Sequence, residues 1–142
     1  MSIRRIVESA DHEVVTCAPS DSVQTAAGLL ADKRIGALPV LDNGAIAGIF
    51  SERDLLYCVA KEGADVLTRA VGEVMTSPAI TIEADADALK ALSLMTRRRI
   101  RHLPVVENGK MAGFVSIGDL VKYRMEMIEA EAQQMRDYIT TA

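Results

Sequence analysis

Tryptophan is absent from this 142-residue chain, aromatics make up 4% of it, and cysteine and histidine occur twice each. With so few rings, Ala, Val, Ile and Leu must fill the core. Cys17 and Cys58 have no C-x-x-C spacing and read as reduced thiols of an apolar interior. His12 and His102 stand at no metal-ligand spacing with a Cys or with each other, so no metal is expected. The formal net charge is −4, which provides no basic field for nucleic acid. No stretch approaches the ~20 apolar residues of a membrane span, and the first residues lack the apolar run of a signal peptide. A cytoplasmic location is the expectation. The G-x-x-x-x-G-K-[ST], G-x-G-x-x-G and G-x-S-x-G loops are all missing, and no Ser/His/Asp or Cys/His set can be assembled. An enzyme is therefore not expected.

What the chain does have is an internal repeat. Residues 14–56 lie over 79–121 without a gap, at an offset of 65 positions. Identical pairs include Thr16/Thr81, Arg34/Arg99, Ile35/Ile100, Pro39/Pro104, Asn43/Asn108, Gly44/Gly109, Gly48/Gly113, Ser51/Ser116 and Asp54/Asp119. Each copy reads as β-α-β-β-α. In the first, the pattern predicts a strand over 14–17 and a helix capped by Asp21 or Ser22 and ended by Ile35-Gly36. A strand over 38–41, an Asn43-Gly44 hairpin turn, a strand over 45–50 and a helix from Ser51 to about Lys61 follow. The second copy predicts strands over 79–82, 103–106 and 110–115, with helices over 87–98 and from Ser116. A short helix over 3–8 precedes the first copy. A linker over 63–78 holds one turn at 71–75, which aligns with residues 6–10. One such unit has too few strands to cover both faces of its sheet, so the two are expected to pack together about a pseudo-twofold axis. The fold class expected is α+β.

Two local patterns could carry chemistry. Gly48-Ile49-Phe50-Ser51-Glu52-Arg53-Asp54 recurs as Gly113-Phe114-Val115-Ser116-Ile117-Gly118-Asp119. A strand ends and a helix begins at each Ser. The Gly permits close approach to the backbone, the helix start offers N–H groups to a phosphate, and the Asp offers two oxygens to a pair of ribose hydroxyls. Ser-x-x-Asp is also close to a capping box, which needs no ligand at all. The second pattern is Arg97-Arg98-Arg99-Ile100-Arg101-His102, against Asp32-Lys33-Arg34-Ile35-Gly36-Ala37 in the first copy. Basic residues in a last helical turn offset its dipole. Arg101 and His102 lie beyond that turn and point to an anion nearby, with solvated charge as the alternative.

Beyond the second copy, Val121, Met125, Ile128, Ala132, Met135 and Ile139 are spaced 4-3-4-3-4. This seam covers under three heptads. It suits either packing on its own domain or pairing with a partner helix in a homodimer.

The tandem β-α-β-β-α unit, the strands Ile35-Gly36-Ala37-Leu38-Pro39-Val40 and Ile100-Arg101-His102-Leu103-Pro104-Val105, and the doubled Gly-x-x-Ser-x-x-Asp resemble the cystathionine-β-synthase (CBS) domain pair, or Bateman module. The chain is similar to small bacterial proteins made of one such pair. The resemblance implies a first repeat over 1–68, a second over 69–125, and a C-terminal helical extension over 126–142. It also implies regulatory binding of an adenosine-containing ligand (AMP, ADP, ATP, NAD(H) or S-adenosylmethionine) in two clefts between the repeats. Carried over by motif, Asp54 and Asp119 would hold ribose hydroxyls, and Ser51 and Ser116 would contact ribose or phosphate. Glu52, Arg53, Ile117 and Gly118 stand beside them in the motif. Thr16 and Thr81, with the backbone at Cys17 and Ile82, would line base and sugar. Ala37, Leu38 and Pro39, with His102, Leu103 and Pro104, would wall the adenine. Arg99, Arg101 and His102 would meet phosphate, with Arg34 and Arg53 as weaker counterparts. Gly36-Ala37 replaces Arg101-His102, so the two sites are expected to differ in charge, and Arg53 replaces Gly118. The resemblance further implies a homodimer and an effector protein yet to be identified. The alternative is a ligand-free interaction module acting through dimerisation.

Overall fold

The computed structural model describes residues 2–10 and 13–141; His12 lies outside them. Helix α1 (Ile3–Ser9) leads to α2 (Val23–Lys33) and the hairpin β1 (Ala37–Asp42)–β2 (Ala45–Ser51), then α3 (Glu52–Glu62). A 3-10 turn at Gly63–Thr68 and the short α4 (Val71–Val74) cross to the second copy. This comprises β3 (Ile82–Glu83), α5 (Ala88–Arg98), the hairpin β4 (His102–Glu107)–β5 (Lys110–Ser116), and the long α6 (Ile117–Thr141). The expected α+β tandem repeat is the architecture found.

Local chemistry sets most boundaries. Asn43 and Gly44 have φ of 52° and 84°, and Asn108 and Gly109 have 54° and 76°, as the expected two-residue hairpin turn requires. Ser22, rather than Asp21, caps α2, its side chain accepting from the Thr25 N–H. α2 stops at Lys33, just short of the expected Ile35-Gly36, and α5 stops at Arg98 as expected: Arg34 and Arg99 take the left-handed conformation, and Ile35 and Ile100 donate back to the Leu30 and Met95 carbonyls. Ile35 and Ile100 pack against the two cores, so the identical Arg-Ile pair serves as a helix stop with an apolar anchor.

Two strand expectations are corrected. Over 14–17 only Cys17 pairs, in an isolated parallel bridge to Val40; over 79–82 the strand begins at Ile82. The equivalent bridge, Ile82 to Val105, opens β3 in a three-stranded sheet ordered β3-β4-β5, while β1-β2 is two-stranded. The residues before each bridge, 13–16 and 79–81, join no described ladder. The linker also carries the 3-10 turn, which the apolar pattern does not reveal.

Two apolar cores interleave along the chain. The first gathers Val23, Ala26, Leu30, Leu38, Val40 and Phe50, and takes Val71 from α4. The second gathers Ile82, Met95, Leu103, Val115 and Leu120, and takes Ile3 and Ile6 from α1. The backbone shows how these helices correspond. Val71 N–H donates to the Asp21 carbonyl and Gly72 N–H to Pro19, as Ile3 N–H donates to Ala86 and Arg4 N–H to Ala84. Val71 therefore corresponds to Ile3, an offset of 68, which corrects the sequence alignment of 71–75 with 6–10 by one helical turn. The same offset explains the repeated glycines of the hairpins. A Cβ at Gly48 would lie 2.8 Å from Met75 Sδ and 2.6 Å from the Thr76 carbonyl, and one at Gly113 would lie 2.5 Å from Val7 Cγ1. The group that approaches these glycines is the protein's own chain. β2 and β5 meet at the junction of the two units.

Helix α6 runs for 25 residues, about 37 Å. Leu120 and Tyr123 face the second core, whereas Val121, Met125, Ile128, Met135 and Ile139 are 46%, 57%, 49%, 63% and 67% exposed. The seam thus lies on a different face from the one that docks on its own domain. No helix among the described residues is long and apolar enough to cross a membrane.

Candidate nucleotide cleft between the repeats

The doubled Ser-x-x-Asp folds as a cap in both copies. Ser51 N–H donates to Asp54 Oδ2 at 2.9 Å, and Asp54 N–H to Ser51 Oγ at 3.2 Å. Ser116 N–H donates to Asp119 Oδ2 at 2.9 Å, and Asp119 N–H to Ser116 Oγ at 3.1 Å. The cap fixes each aspartate rotamer at the start of its helix. A carboxylate has about four lone-pair sites, so a cap does not exhaust it. Asp54 has a further partner: Thr76 Oγ1 donates to its Oδ1 at 2.8 Å.

Ser116 and Asp119 open onto a cavity of about 500 Å³. The described residues lining it are Glu13, Val14, Val15, Lys33, Arg34, Ile35, Gly36 and Ala37 from the first copy, with His102, Phe114, Ser116 and Asp119 from the second. The volume falls within the ordinary range for a small-molecule site. Apolar walls come from Val14, Val15 and Phe114, positive charge from Lys33 and Arg34, and hydrogen-bonding groups from Ser116 and Asp119. Such a set can take a flat ring, a polyol and an anion together.

His102 of the second copy meets Gly36 of the first across the cavity lining. Its ring stacks on Phe114 with centroids 5.5 Å apart and planes 12° from parallel. A Cβ on Gly36 would stand 3.2 Å from its Cε1, so the small first-copy residue makes room for the imidazole. Burial pushes the His102 pKa below the ordinary 6.5; Asp119 pulls it up, Arg101 presses it down, and Glu52 pulls it up more weakly. The ring is thus neutral near pH 7, acting as a flat polar wall. As pH falls below 6.5, the unfolded chain binds a proton here before the folded chain does, and stability is lost. The urea midpoint is expected to fall more between about pH 7 and pH 5.5 in the wild type than in His102→Gln. Equal slopes would mean the ring titrates as an exposed one.

The other candidate residues are distributed as follows. Arg34, Gly36, Ala37, His102, Ser116 and Asp119 share the cavity. Arg99 and Arg101 are exposed and do not line it; Arg101 uses its carbonyl to accept the Ile117 N–H. Asp119 thus shares the cavity with 33–37 of the other copy and, from the basic run of its own, with His102. Leu38 and Leu103 are fully buried in the two cores, and Cys17 and Ile82 are nearly so. Burial, reinforced by Asp21, pushes the Cys17 thiol up to about 11, as an inert core group. Pro39 and Pro104 are buried within the hairpins, and Thr16 is half-buried beside the Cys17 bridge. Glu52 N–H donates to the Gly36 carbonyl, while Arg53, Ile117 and Gly118 are exposed at the helix starts. Ser51 and Asp54 are held with Thr76. Thr81 lines a separate cavity of about 400 Å³ with Ser77, Pro78, Ala79 and Ala45–Ala47. Sequence reasoning missed Glu13, Val14, Val15, Lys33, Ile35 and Phe114 as cavity walls. Phe114 had a signal, since it lies two residues before Ser116 on the same strand face. Among the described residues, no three His, Cys, Asp or Glu side chains gather as a metal site.

Comparison with known proteins identifies the family and the fold. The family model described as "CBS domain" matches residues 3–61 and again 71–126. A CBS-domain-containing mitochondrial protein of Arabidopsis thaliana, CBSX3, is 36% identical over 137 residues, which cover 93% of this chain and 66% of that protein. The chain thus spans just under two thirds of that relative's length. The crystal structure of a CBS-domain-containing protein from Agrobacterium tumefaciens superposes with a TM-score of 0.81 at 39% identity, covering 87% of this chain and 99% of that one. The crystal structure of CBSX2 in complex with AMP superposes with a TM-score of 0.77 at 26% identity, covering 89% and 97%.

Proposed function

This chain belongs to the CBS-domain family, with two repeats, and from that premise we propose that it is a regulatory module binding AMP, ADP, ATP or NAD between them, in the cytoplasm and as a homodimer. The observation that carries the reading is the cavity joining Ser116 and Asp119 of one copy to Lys33 and Arg34 of the other. In this reading Asp119 accepts the ribose hydroxyls, and Ser116 contacts ribose or phosphate. Val14, Val15 and the stacked His102–Phe114 pair sandwich the base. Lys33 and Arg34 meet phosphate. That a relative of the same fold is described in complex with AMP supports the ligand class. The role is binding rather than catalysis, with a separate effector protein as listener.

The repeat offset carries residues 33–37 onto 98–102, so the cleft of Ser51 and Asp54 would face Arg98, Arg99 and Arg101. More positive charge there favours the more phosphorylated ligand. Arg101→Gly is expected to weaken ATP or NAD roughly 5-fold while sparing adenosine, most clearly at low salt. Equal loss for all three would assign Arg101 to folding.

A second reading, a ligand-free interaction module, is favoured by the Thr76 bond to Asp54 and by the exposed seam of α6. Mass spectrometry of small molecules released from purified protein, followed by calorimetric titration with AMP, ATP and NAD, separates the two. A co-purified or titrating adenosine ligand supports the first. A clean preparation that ignores all three supports the second.

A further inference from the structure

We propose that α6 pairs with α6 of a second copy as a parallel, in-register two-stranded coil. The proposal deepens the homodimer in the reading above and rests on it. The starting observation is geometric. The face bearing Leu120 and Tyr123 is occupied by the chain's own core, whereas Val121, Met125, Ile128, Met135 and Ile139 form a separate stripe, each residue 46% or more exposed. Ala132, half-buried, completes it. The spacing makes Val121, Ile128 and Met135 the d positions and Met125, Ala132 and Ile139 the a positions of a heptad. Apolar matching alone does not choose an orientation.

The flanking charges do. Lys122, Glu129 and Arg136 fall at e positions, and Arg124 and Glu131 at g, all of them exposed. In a parallel pair each g residue meets the partner's e residue five positions on. Arg124 then meets Glu129 and Glu131 meets Arg136, each pairing made twice by symmetry, and all four are attractive. An antiparallel pair that keeps all six apolar layers brings e to e and g to g. Glu129 would then face Glu129, Glu131 would face Glu131, and Lys122 would face Arg136, all repulsive. Sliding an antiparallel pair by one heptad removes these repulsions but leaves Met135 and Ile139 without partners. Only the parallel arrangement satisfies the stripe and its flanks together.

Full-length protein in a Cys58→Ser background tests this, since Cys17 is buried. With Met135→Cys added, mild oxidation is expected to link most of the protein into covalent dimers. Linkage only when Met125→Cys and Met135→Cys chains are mixed would mean an antiparallel pair and overturn the proposal. A charge exchange gives an independent readout by sedimentation. Glu131→Arg and Arg136→Glu, each alone, should weaken the dimer about 10-fold at low salt, and together should restore it. A dimer indifferent to both would also overturn the proposal, leaving homodimerisation through other faces. A monomeric wild type would overturn the homodimer itself while leaving nucleotide binding intact.

Discussion

Asp119→Ala is expected to weaken binding of AMP or another adenosine ligand by roughly 10- to 150-fold. That is the loss of about 1.5–3 kcal/mol from hydrogen bonds to a charged acceptor. The residue lines the cavity, and its backbone and side chain are both tied to Ser116, at 3.1 and 2.9 Å. It is therefore pre-positioned, and little ordering cost falls on the ligand. The same bonds mean that alanine also removes part of the cap of α6, at about 1 kcal/mol of stability. Asp119→Asn separates the two effects. The amide oxygen still accepts the Ser116 N–H, so the melting temperature should recover, while the lost charge and altered donor pattern keep affinity low. Calorimetry and thermal melts on both variants decide it. Wild-type affinity in Asp119→Ala would reduce the motif to a helix cap.

The largest expected effect on stability lies outside the lining of the cleft, in α1. Ile3→Ala should destabilise the protein by about 2–5 kcal/mol, the range for emptying a large aliphatic from a packed core. Ile3 is fully buried among Ile82, Met95, Leu103 and Val115, and its N–H is bonded to the Ala86 carbonyl at 2.8 Å. Its structural counterpart, Val71, is equally buried in the other core, so Val71→Ala should act in the same direction with a smaller loss of volume. Urea unfolding followed by circular dichroism measures both. A cost under about 0.5 kcal/mol for Ile3→Ala would show α1 to be a detachable surface helix.

These two residues mark the boundary of what the sequence could tell. Ser-x-x-Asp, Asn-Gly and the Arg-Ile helix stops act through neighbours a few residues away. Their local consequences were therefore legible, apart from the left-handed turn at Arg34 and Arg99. The partnership of α1 with the second core was not. Ile3 and Ile6 are both apolar and one turn apart, and only the tertiary bond to Ala86 determines which of them corresponds to Val71. The membership of the cleft was half legible for the same reason. Arg34, Gly36 and Ala37 were candidates, and so were Ser116 and Asp119, but the repeat pattern does not say which basic residues share a cleft with which aspartate. The contact across the junction is what brings it to Lys33. Segments 13–16 and 77–81 carry no pattern that would show residues of theirs lining cavities instead of joining a sheet.

The fit of His102 beside Gly36 has a consequence for the duplication itself. Gly36 corresponds to Arg101 and His102 to Ala37, so the positions that fit as Gly with His at this junction are occupied by Arg and Ala in the other register of the repeat. At the observed place, the bulk of His102 is matched by the smallness of Gly36. A molecule assembled from two first copies would set Gly against Ala at both places and leave a double hollow at its axis. One assembled from two second copies would force Arg against His twice. At this contact the two halves are therefore not interchangeable.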